Sequence, residues 1–161
     1  MSAESDGSIT VDIFAETRSY IRTPTERTVM TTYETEIGVR FRDIDAMNHV
    51  NNAVYATYIE QARTEYYRAV LSADATAMST VLASLSINFR HAVTLADETV
   101  TVSLDVAEIG RSSVTMTYEI RTGGQVVADA ETTVVTLDPD SGEPTPIPDT
   151  QRAEMESYHE L

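Results

Sequence analysis

Hydrophobic and polar residues alternate along five segments of the chain, and this alternation predicts β-strands that each bury one face. The first segment places its apolar positions at Ile37, Val39 and Phe41. The next three place them at Val81, Ala83, Leu85, Ile87 and Phe89, at Val100, Val102, Leu104 and Val106, and at Val114, Met116, Tyr118 and Ile120. Residues 125–137 form the fifth predicted strand.

One long segment has a helical period instead, and it predicts an α-helix over residues 53–71. Its apolar stripe consists of Tyr55, Tyr58, Ile59, Ala62, Tyr66, Ala69 and Val70. The stripe is wide for a helix on a protein surface, which indicates a helix that a sheet largely encloses. A second, short helix is predicted over residues 149–160.

Short turns separate the last strands, at residues 96–98, 110–112 and 123–124. Short connections between alternating segments are typical of antiparallel hairpins. The order of one strand, a long helix and four strands predicts an α+β domain over residues 33–161, with one antiparallel five-stranded sheet around one long central helix. Residues 1–32 are predicted to be an acidic, partly disordered N-terminal extension.

The charge of the chain excludes one class of function. The net charge is −15, from 26 acidic and 11 basic residues, whereas a nucleic-acid-binding protein needs a basic face. All 11 basic residues are Arg and none is Lys. This balance predicts adaptation to a salt-rich cytoplasm, where screening weakens the repulsion between carboxylates. An ordinary acidic protein from a GC-rich genome is the alternative.

Other absences from the sequence narrow the chemistry further. The chain has no Cys, which excludes disulfides, zinc-thiolate sites and Cys nucleophiles. No apolar run approaches the roughly 18 residues that a membrane span needs. The N-terminus lacks the basic start and apolar stretch of a signal peptide, so we expect a cytoplasmic protein.

The densest cluster of chemically active side chains lies directly before the long helix. Two carboxylates, one His and three Asn fall within ten residues, namely Asp43, Asp45, Asn48, His49, Asn51 and Asn52. The unpaired amides of a helix start can stabilise an oxyanion, and a carboxylate can supply a base or a nucleophile. The pattern therefore indicates an acyl-transfer site. Asn48 suits a left-handed turn, and Asn51 or Asn52 suits the helix N-cap.

The run RFRDIDAMNHVNNAVYATYIEQARTEYYR, from residue 40 to residue 68, resembles a signature of the hotdog-fold thioesterases. The resemblance is to the branch of the 4-hydroxybenzoyl-CoA thioesterases and bacterial acyl-CoA thioesterases, and it covers residues 33 to about 158. The segments NFRHAVTLADET and GRSSVTMTYEI give weaker support. The resemblance implies the hotdog fold and hydrolysis of an acyl-CoA or acyl-carrier thioester. It implies neither a metal nor a cofactor other than the CoA of the substrate, and it implies active sites at the interface of a homodimer or a dimer of dimers.

The same resemblance assigns roles to residues of this loop. It makes Asp43 the carboxylate that attacks the thioester carbonyl or activates water, and it places the oxyanion amides near Val50, Asn51 and Asn52. His49 is then a candidate for orienting Asp43 or the water. Some relatives have a His at the position of Asn52, so the chain departs from them there.

Each of these residues also has a structural interpretation. Asp43 could cap a turn, Asp45 could bond the loop backbone, and a buried His49 could be satisfied by a backbone carbonyl. Glu60, on the helix, is a rival catalytic carboxylate, but pairing with Arg63 three residues later would explain it as well.

Two arginines are candidates for binding the phosphates of CoA, because a guanidinium fork matches phosphate oxygens. Arg90 is one, and Arg111 with the neighbouring Ser112 and Ser113 is the other. Ion pairs with some of the 26 acidic residues are an equally good explanation of both. Two rival functions also stay open: an enoyl-CoA hydratase of the hotdog fold, and an acyl-CoA-binding protein without catalysis.

Overall fold

The computed structural model describes residues 31–72 and 79–161, and there it has one five-stranded sheet and two α-helices. The elements are β1 Tyr33–Gly38, α1 Asn52–Val70, β2 Thr80–Phe89, β3 Thr99–Ile109, β4 Ser113–Thr122, β5 Gln125–Thr136 and α2 Asp149–His159. The strands lie in the order β1-β3-β4-β5-β2, and every pair is antiparallel. This confirms the predicted sheet. Residues 1–30 of the predicted extension lie outside the described residues.

The centre of the sheet follows the predicted alternation closely. The helix-facing side chains of β3 are Val100, Val102, Leu104 and Val106, and those of β4 are Val114, Met116, Tyr118 and Ile120; all eight are buried. The apolar face of α1 packs in the same core cluster. Burial of these apolar side chains is the main force that holds α1 against the sheet.

Two consecutive glycines make the tightest turn of the sheet. Gly123 and Gly124 connect the paired residues Thr122 and Gln125, and their φ angles are +54° and +77°. A two-residue hairpin turn with both φ angles positive matches the twist of the flanking strands, and Gly adopts it without steric cost.

The predicted face of β2 was wrong over its first half because the strand contains a bulge. Leu82 pairs with Val134 and Ser84 with Thr133, so Ala83 is an extra residue without a partner. A bulge reverses the alternation, and Leu82 rather than Val81 therefore shares the helix-facing side with Leu85. This side remains open to solvent: Leu82 is 47% exposed and Leu85 is 37% exposed.

Two other predictions of burial were also wrong. Phe41 is 83% exposed, because β1 ends at Gly38 and a 3-10 turn begins at Phe41. Near the C-terminal end of α1, Ala69 is exposed, whereas Tyr67 is buried. The apolar stripe of α1 thus turns toward Tyr67 in its last turns.

A buried histidine fixes the C-terminal helix to the central helix. The ring of His159 is fully buried, and its Nε2 lies 3.0 Å from the hydroxyl of Tyr66. Burial lowers the pKa of His159 below its ordinary value of 6.5, and the charge of Asp105 opposes this shift only in part. Tyr158 also packs against the imidazole, edge to face. The neutral imidazole is therefore the form that the folded state favours.

We predict that His159 makes the fold less stable as the pH falls. A group whose pKa is lowered by folding binds fewer protons in the folded state, so its stabilising effect is complete above the ordinary value of 6.5 and is lost as the pH drops through the lowered value. Urea unfolding between pH 7 and pH 5 measures this loss. His159→Gln should show a smaller loss than the wild type, whereas His91→Gln, at an exposed position, should leave it unchanged. Equal losses in all three proteins would contradict the prediction.

Candidate active site

The polar loop between β1 and α1 folds back on itself and is fixed by backbone hydrogen bonds. The amide of Asp45 donates to the carbonyl of His49 at 2.8 Å, and Ile44 and Val50 form an isolated β-bridge. Asn48 has a φ of +62° at the tip of the loop, as expected from its tolerance of the left-handed conformation. The closed loop brings Asp43 next to the start of α1.

Asp43 is buried, with 7% of its surface exposed. Its Oδ2 accepts two hydrogen bonds, from the amide of Arg40 at 2.9 Å and from the hydroxyl of Tyr58 at 2.9 Å. Within the described residues no hydrogen bond reaches Oδ1. The carboxylate is thus oriented through one oxygen, and the other keeps its lone pairs for a water molecule or a substrate.

Asp45 has a different environment. It is half-buried, and its Oδ1 accepts from the amide of Met47 at 2.8 Å and from that of His49 at 3.4 Å. This confirms the predicted bond from Asp45 to the loop backbone. Asp45 is nevertheless the more accessible of the two carboxylates, and no hydrogen bond from the described residues reaches its Oδ2.

The helix start leaves one of the three predicted oxyanion amides without a partner. The amide of Val50 donates to the carbonyl of Val93 at 2.8 Å, and that of Asn51 donates to the carbonyl of Asp43 at 2.8 Å. The amide of Asn52, the first residue of α1, has no hydrogen bond within the described residues. It is therefore the amide of this set that can donate to an oxyanion without breaking an existing bond.

The side chains of the loop are arranged as follows. Asn51 is the N-cap of α1, because its side-chain oxygen accepts from the amide of Ala53 at 2.9 Å. Asn52 and His49 are exposed, so the interpretation of His49 as a buried, satisfied side chain was wrong. Both are accessible to a ligand at the start of α1.

A groove with a volume of about 340 Å³ separates α1 from β2. Apolar side chains, among them Leu82 and Leu85, line the strand side, and Glu60 and Arg63 line the helix side. The predicted ion pair between Glu60 and Arg63 is absent: within the described residues, neither forms a salt bridge. The groove exists because α1 leaves the helix-facing side of β2 uncovered.

Arg90 lies at the same end of the sheet as Asp43, directly after β2, where Phe89 packs against Tyr55 with ring centroids 5.1 Å apart. Its guanidinium forms an ion pair with Asp129. The alternative prediction, pairing with an acidic residue, is therefore confirmed for Arg90. Its side chain is 56% exposed in this pair, so a phosphate could still compete for it.

Arg111 lies at the opposite end of the sheet from Asp43. Gly38 at the end of β1 pairs with Thr99 at the start of β3, whereas Arg111 follows the far end of β3. Since β3 has 11 residues, the two ends are roughly 30 Å apart at ~3.3 Å per residue. Arg111 is exposed, and it has no ion pair within the described residues. Ser112 and Ser113, both half-buried, share its turn.

Sequence reasoning missed two residues near these sites. The role of Tyr58 as a donor to Asp43 was missed, although a buried tyrosine hydroxyl needs a partner and a carboxylate stands nearby in the sequence. Arg152 of α2 was missed entirely. Its guanidinium donates to the carbonyls of Ile109 and Gly110 and so adds a second cation beside the Arg111 turn.

Across residues 31–72 and 79–161, no group of three or more His, Asp or Glu side chains is placed to hold a metal ion. In the same ranges no helix is long and apolar enough to cross a membrane.

Comparison with known proteins gives a consistent result. Residues 39–155 match the model of the thioesterase-like superfamily. The chain is 32% identical over 110 residues to the long-chain acyl-CoA thioesterase FadM of Escherichia coli K12. This alignment covers 65% of this chain and 83% of that protein.

Solved structures agree in fold. A thioesterase from Thermus thermophilus, complexed with coenzyme A and Zn, superimposes with a TM-score of 0.74 at 28% identity, covering 84% of this chain and 98% of that one. A predicted thioesterase from Bacillus stearothermophilus superimposes with a TM-score of 0.71 at 26% identity, covering 79% and 96%.

We predict that Asn51→Ala destabilises the fold by about 1 kcal/mol, the usual cost of losing an N-cap side chain. Urea unfolding measures this cost. Asn52→Ala is the matched control, because Asn52 is exposed and makes no side-chain hydrogen bond within the described residues; its effect should stay within about 0.5 kcal/mol. Similar losses in the two variants would mean that the cap bond contributes little.

Proposed function

We propose that this chain hydrolyses acyl-CoA with Asp43 as its base or nucleophile. The chain belongs to the thioesterase-like superfamily and is a thioester hydrolase of the hotdog fold. The observation that carries the proposal is the oriented carboxylate of Asp43, with its Oδ1 unbonded within the described residues, beside the unpartnered amide of Asn52 at the start of α1. Acyl transfer needs this pair: a base or nucleophile, and a donor for the developing oxyanion.

The reaction requires one bond to form and one to break at the thioester carbonyl. With Asp43 as base, Oδ1 takes a proton from water, the hydroxide attacks the carbonyl carbon, and the carbon–sulfur bond breaks to release thiolate and acid. With Asp43 as nucleophile, Oδ1 attacks the carbonyl carbon, the carbon–sulfur bond breaks to release thiolate, and the resulting mixed anhydride is hydrolysed by water to the free acid and the Asp43 carboxylate. In both routes the amide of Asn52 donates to the carbonyl oxygen as its charge develops. His49 and Asn51, near the same helix start, are the side chains that we propose to hold the water.

Asp45 is the second candidate for the reacting carboxylate. The observation in its favour is accessibility: Asp45 is only half-buried, whereas Asp43 is buried, with 7% of its surface exposed. A base must come within about 3 Å of the water that it deprotonates. If Asp45 reacts, the buried Asp43 acts by fixing the loop against α1.

The substrate that we propose is an acyl-CoA. The similarity to FadM, whose name specifies long-chain acyl-CoA, supports this choice. The groove between α1 and β2, about 340 Å³ in volume, has room for part of an acyl group along Leu82 and Leu85. Arg90 and Arg111, with Ser112 and Ser113, are the proposed contacts for CoA phosphates.

We propose further that the active unit is a homodimer or a dimer of dimers. β2 is an edge strand of ten residues, and an exposed edge of this length is usually covered. A site that uses both Asp43 and Arg111 also requires two copies, since these residues stand at opposite ends of one protomer. A cytoplasmic location and salt adaptation, the latter based on the net charge of −15, complete the proposal.

The first prediction from this proposal concerns the reacting carboxylate. Asp43→Asn should reduce kcat for acyl-CoA hydrolysis at least ~10²-fold, the usual contribution of a general base, while the protein stays folded. Asp45→Asn tests the second candidate in the same assay. Glu60→Gln tests the rival carboxylate, which is exposed on α1 and lines the groove; we expect its kcat to stay near the wild-type value.

The outcomes separate the candidates and the rival functions. If Asp45→Asn loses the activity and folded Asp43→Asn keeps it, Asp43 is not the reacting group. Hydration of an enoyl-CoA by the wild type without hydrolysis would favour a hydratase. Binding of acyl-CoA without turnover of any thioester in an acyl-CoA panel would indicate a binding protein.

The second prediction concerns the shared site. Homodimers of Asp43→Asn should be inactive, and homodimers of Arg111→Ala should bind acyl-CoA weakly. In mixed dimers, one of the two sites combines an intact Asp43 with an intact Arg111 of the other copy. Each mixed dimer should therefore have up to about half of the activity of a wild-type dimer. No recovery, with subunit exchange shown by mass spectrometry, would exclude a site that combines Asp43 of one copy with Arg111 of the other.

A further inference from the structure

The hydroxyl of Tyr58 is the one side-chain group of α1 that forms a hydrogen bond with Asp43 within the described residues. Tyr58 is 3% exposed, and its ring packs against Tyr55 with centroids 6.2 Å apart. The hydroxyl donates to Oδ2 of Asp43 at 2.9 Å. A buried ring with few open rotamers thus holds the donor at one point in the site.

The hydrogen bonds on Asp43 are divided unequally between its two oxygens. The hydroxyl of Tyr58 and the amide of Arg40 both donate to Oδ2. The Arg40 amide belongs to the backbone turn that contains Asp43 itself, three residues away. The Tyr58 hydroxyl belongs to α1. Of the two donors, it is therefore the one that fixes the carboxylate relative to this helix, whose first residue, Asn52, supplies the proposed oxyanion amide.

The hydroxyl of Tyr58 is protonated at neutral pH. Burial raises the pKa of Tyr58 well above its ordinary value, and the hydrogen bond to Asp43 and the charge of Asp43 raise it further. Tyr58 is therefore a permanent donor to a carboxylate and not a general acid. A charge-assisted hydrogen bond of this kind is strong and directional.

We infer that Tyr58 is a positioning residue for hydrolysis: it holds the Asp43 carboxylate through Oδ2 so that Oδ1 faces the thioester at the start of α1. This inference rests on the proposed role of Asp43. Without the Tyr58 hydroxyl, the Arg40 amide still holds Oδ2, but the carboxylate can rotate relative to α1. Misplacement of a reacting group by about 1 Å can reduce the rate on the order of 10²-fold.

Two matched variants test the inference. Tyr58→Phe removes one hydroxyl and keeps the buried ring. Tyr55→Phe removes one hydroxyl from an equally buried tyrosine of the same helix, which makes no hydrogen bond to Asp43. Tyr58→Phe should reduce kcat on the order of 10²-fold with little change in KM, and Tyr55→Phe should change kcat less than about threefold. Normal kcat in folded Tyr58→Phe, or equal losses in both variants, would overturn the inference.

A double-mutant cycle separates this inference from the proposed role of Asp43. If Tyr58 acts through Asp43, adding Tyr58→Phe to Asp43→Asn should cause no further loss of kcat. A full further loss would show that Tyr58 acts independently of Asp43 and would overturn the inference. An active Asp43→Asn protein would instead refute the proposed function of Asp43. Circular dichroism melts of all variants show whether each loss comes from folded protein.

Discussion

The tyrosines of α1 impose the constraint on which both the site and the packing of α2 depend. Tyr58 and Tyr66 are buried by the sheet, and a buried hydroxyl without a partner is costly. Tyr58 satisfies its hydroxyl at Asp43 and Tyr66 at His159. Burial of one helix face therefore also fixes the loop before the helix and the helix at the end of the chain. The catalytic candidate is oriented by the same packing that stabilises the domain.

The sheet covers α1 unevenly, and this unevenness gives the molecule its accessible surfaces. β3 and β4 bury their helix-facing side chains completely, whereas Leu82, Leu85 and Phe89 on β2 remain partly exposed. The bulge at Ala83 keeps these apolar side chains on one side of β2. Within the described residues, a single copy of the chain thus presents an open apolar groove, the unpaired outer edge of β2 and an anion-binding candidate, Arg111, far from Asp43. All three features are consistent with a site completed by a second copy.

The arginines differ in whether an acidic side chain already neutralises their charge. With 26 acidic residues, an arginine on this surface has many possible partners, and Arg90 has found one in Asp129. Arg111 has none within the described residues, and Arg152 beside it donates largely to backbone carbonyls. The turn between β3 and β4 therefore offers a phosphate more available positive charge than Arg90 does, even though the net charge of the chain repels anions.

The sequence by itself determined the elements of the fold and where the candidate site lies along the chain. Period-2 and period-3.6 patterns reflect local backbone geometry, so they predicted five strands and the central helix without tertiary information. The preference of Asn for the N-cap narrowed the cap to Asn51 or Asn52, and the structure selects Asn51. The tertiary structure alone decided how distant residues are placed. It decided the bond from Tyr58 to Asp43, the pairing of Arg90 with Asp129 and the distance of Arg111 from Asp43, and it left the amide of Asn52 without a partner among the described residues. It also decided the face of β2 and the exposure of Phe41, because a bulge and an early strand end change the alternation without an obvious signal in the sequence. A hydrogen bond across 15 residues depends on how α1 lies in the sheet, and no local pattern specifies that placement.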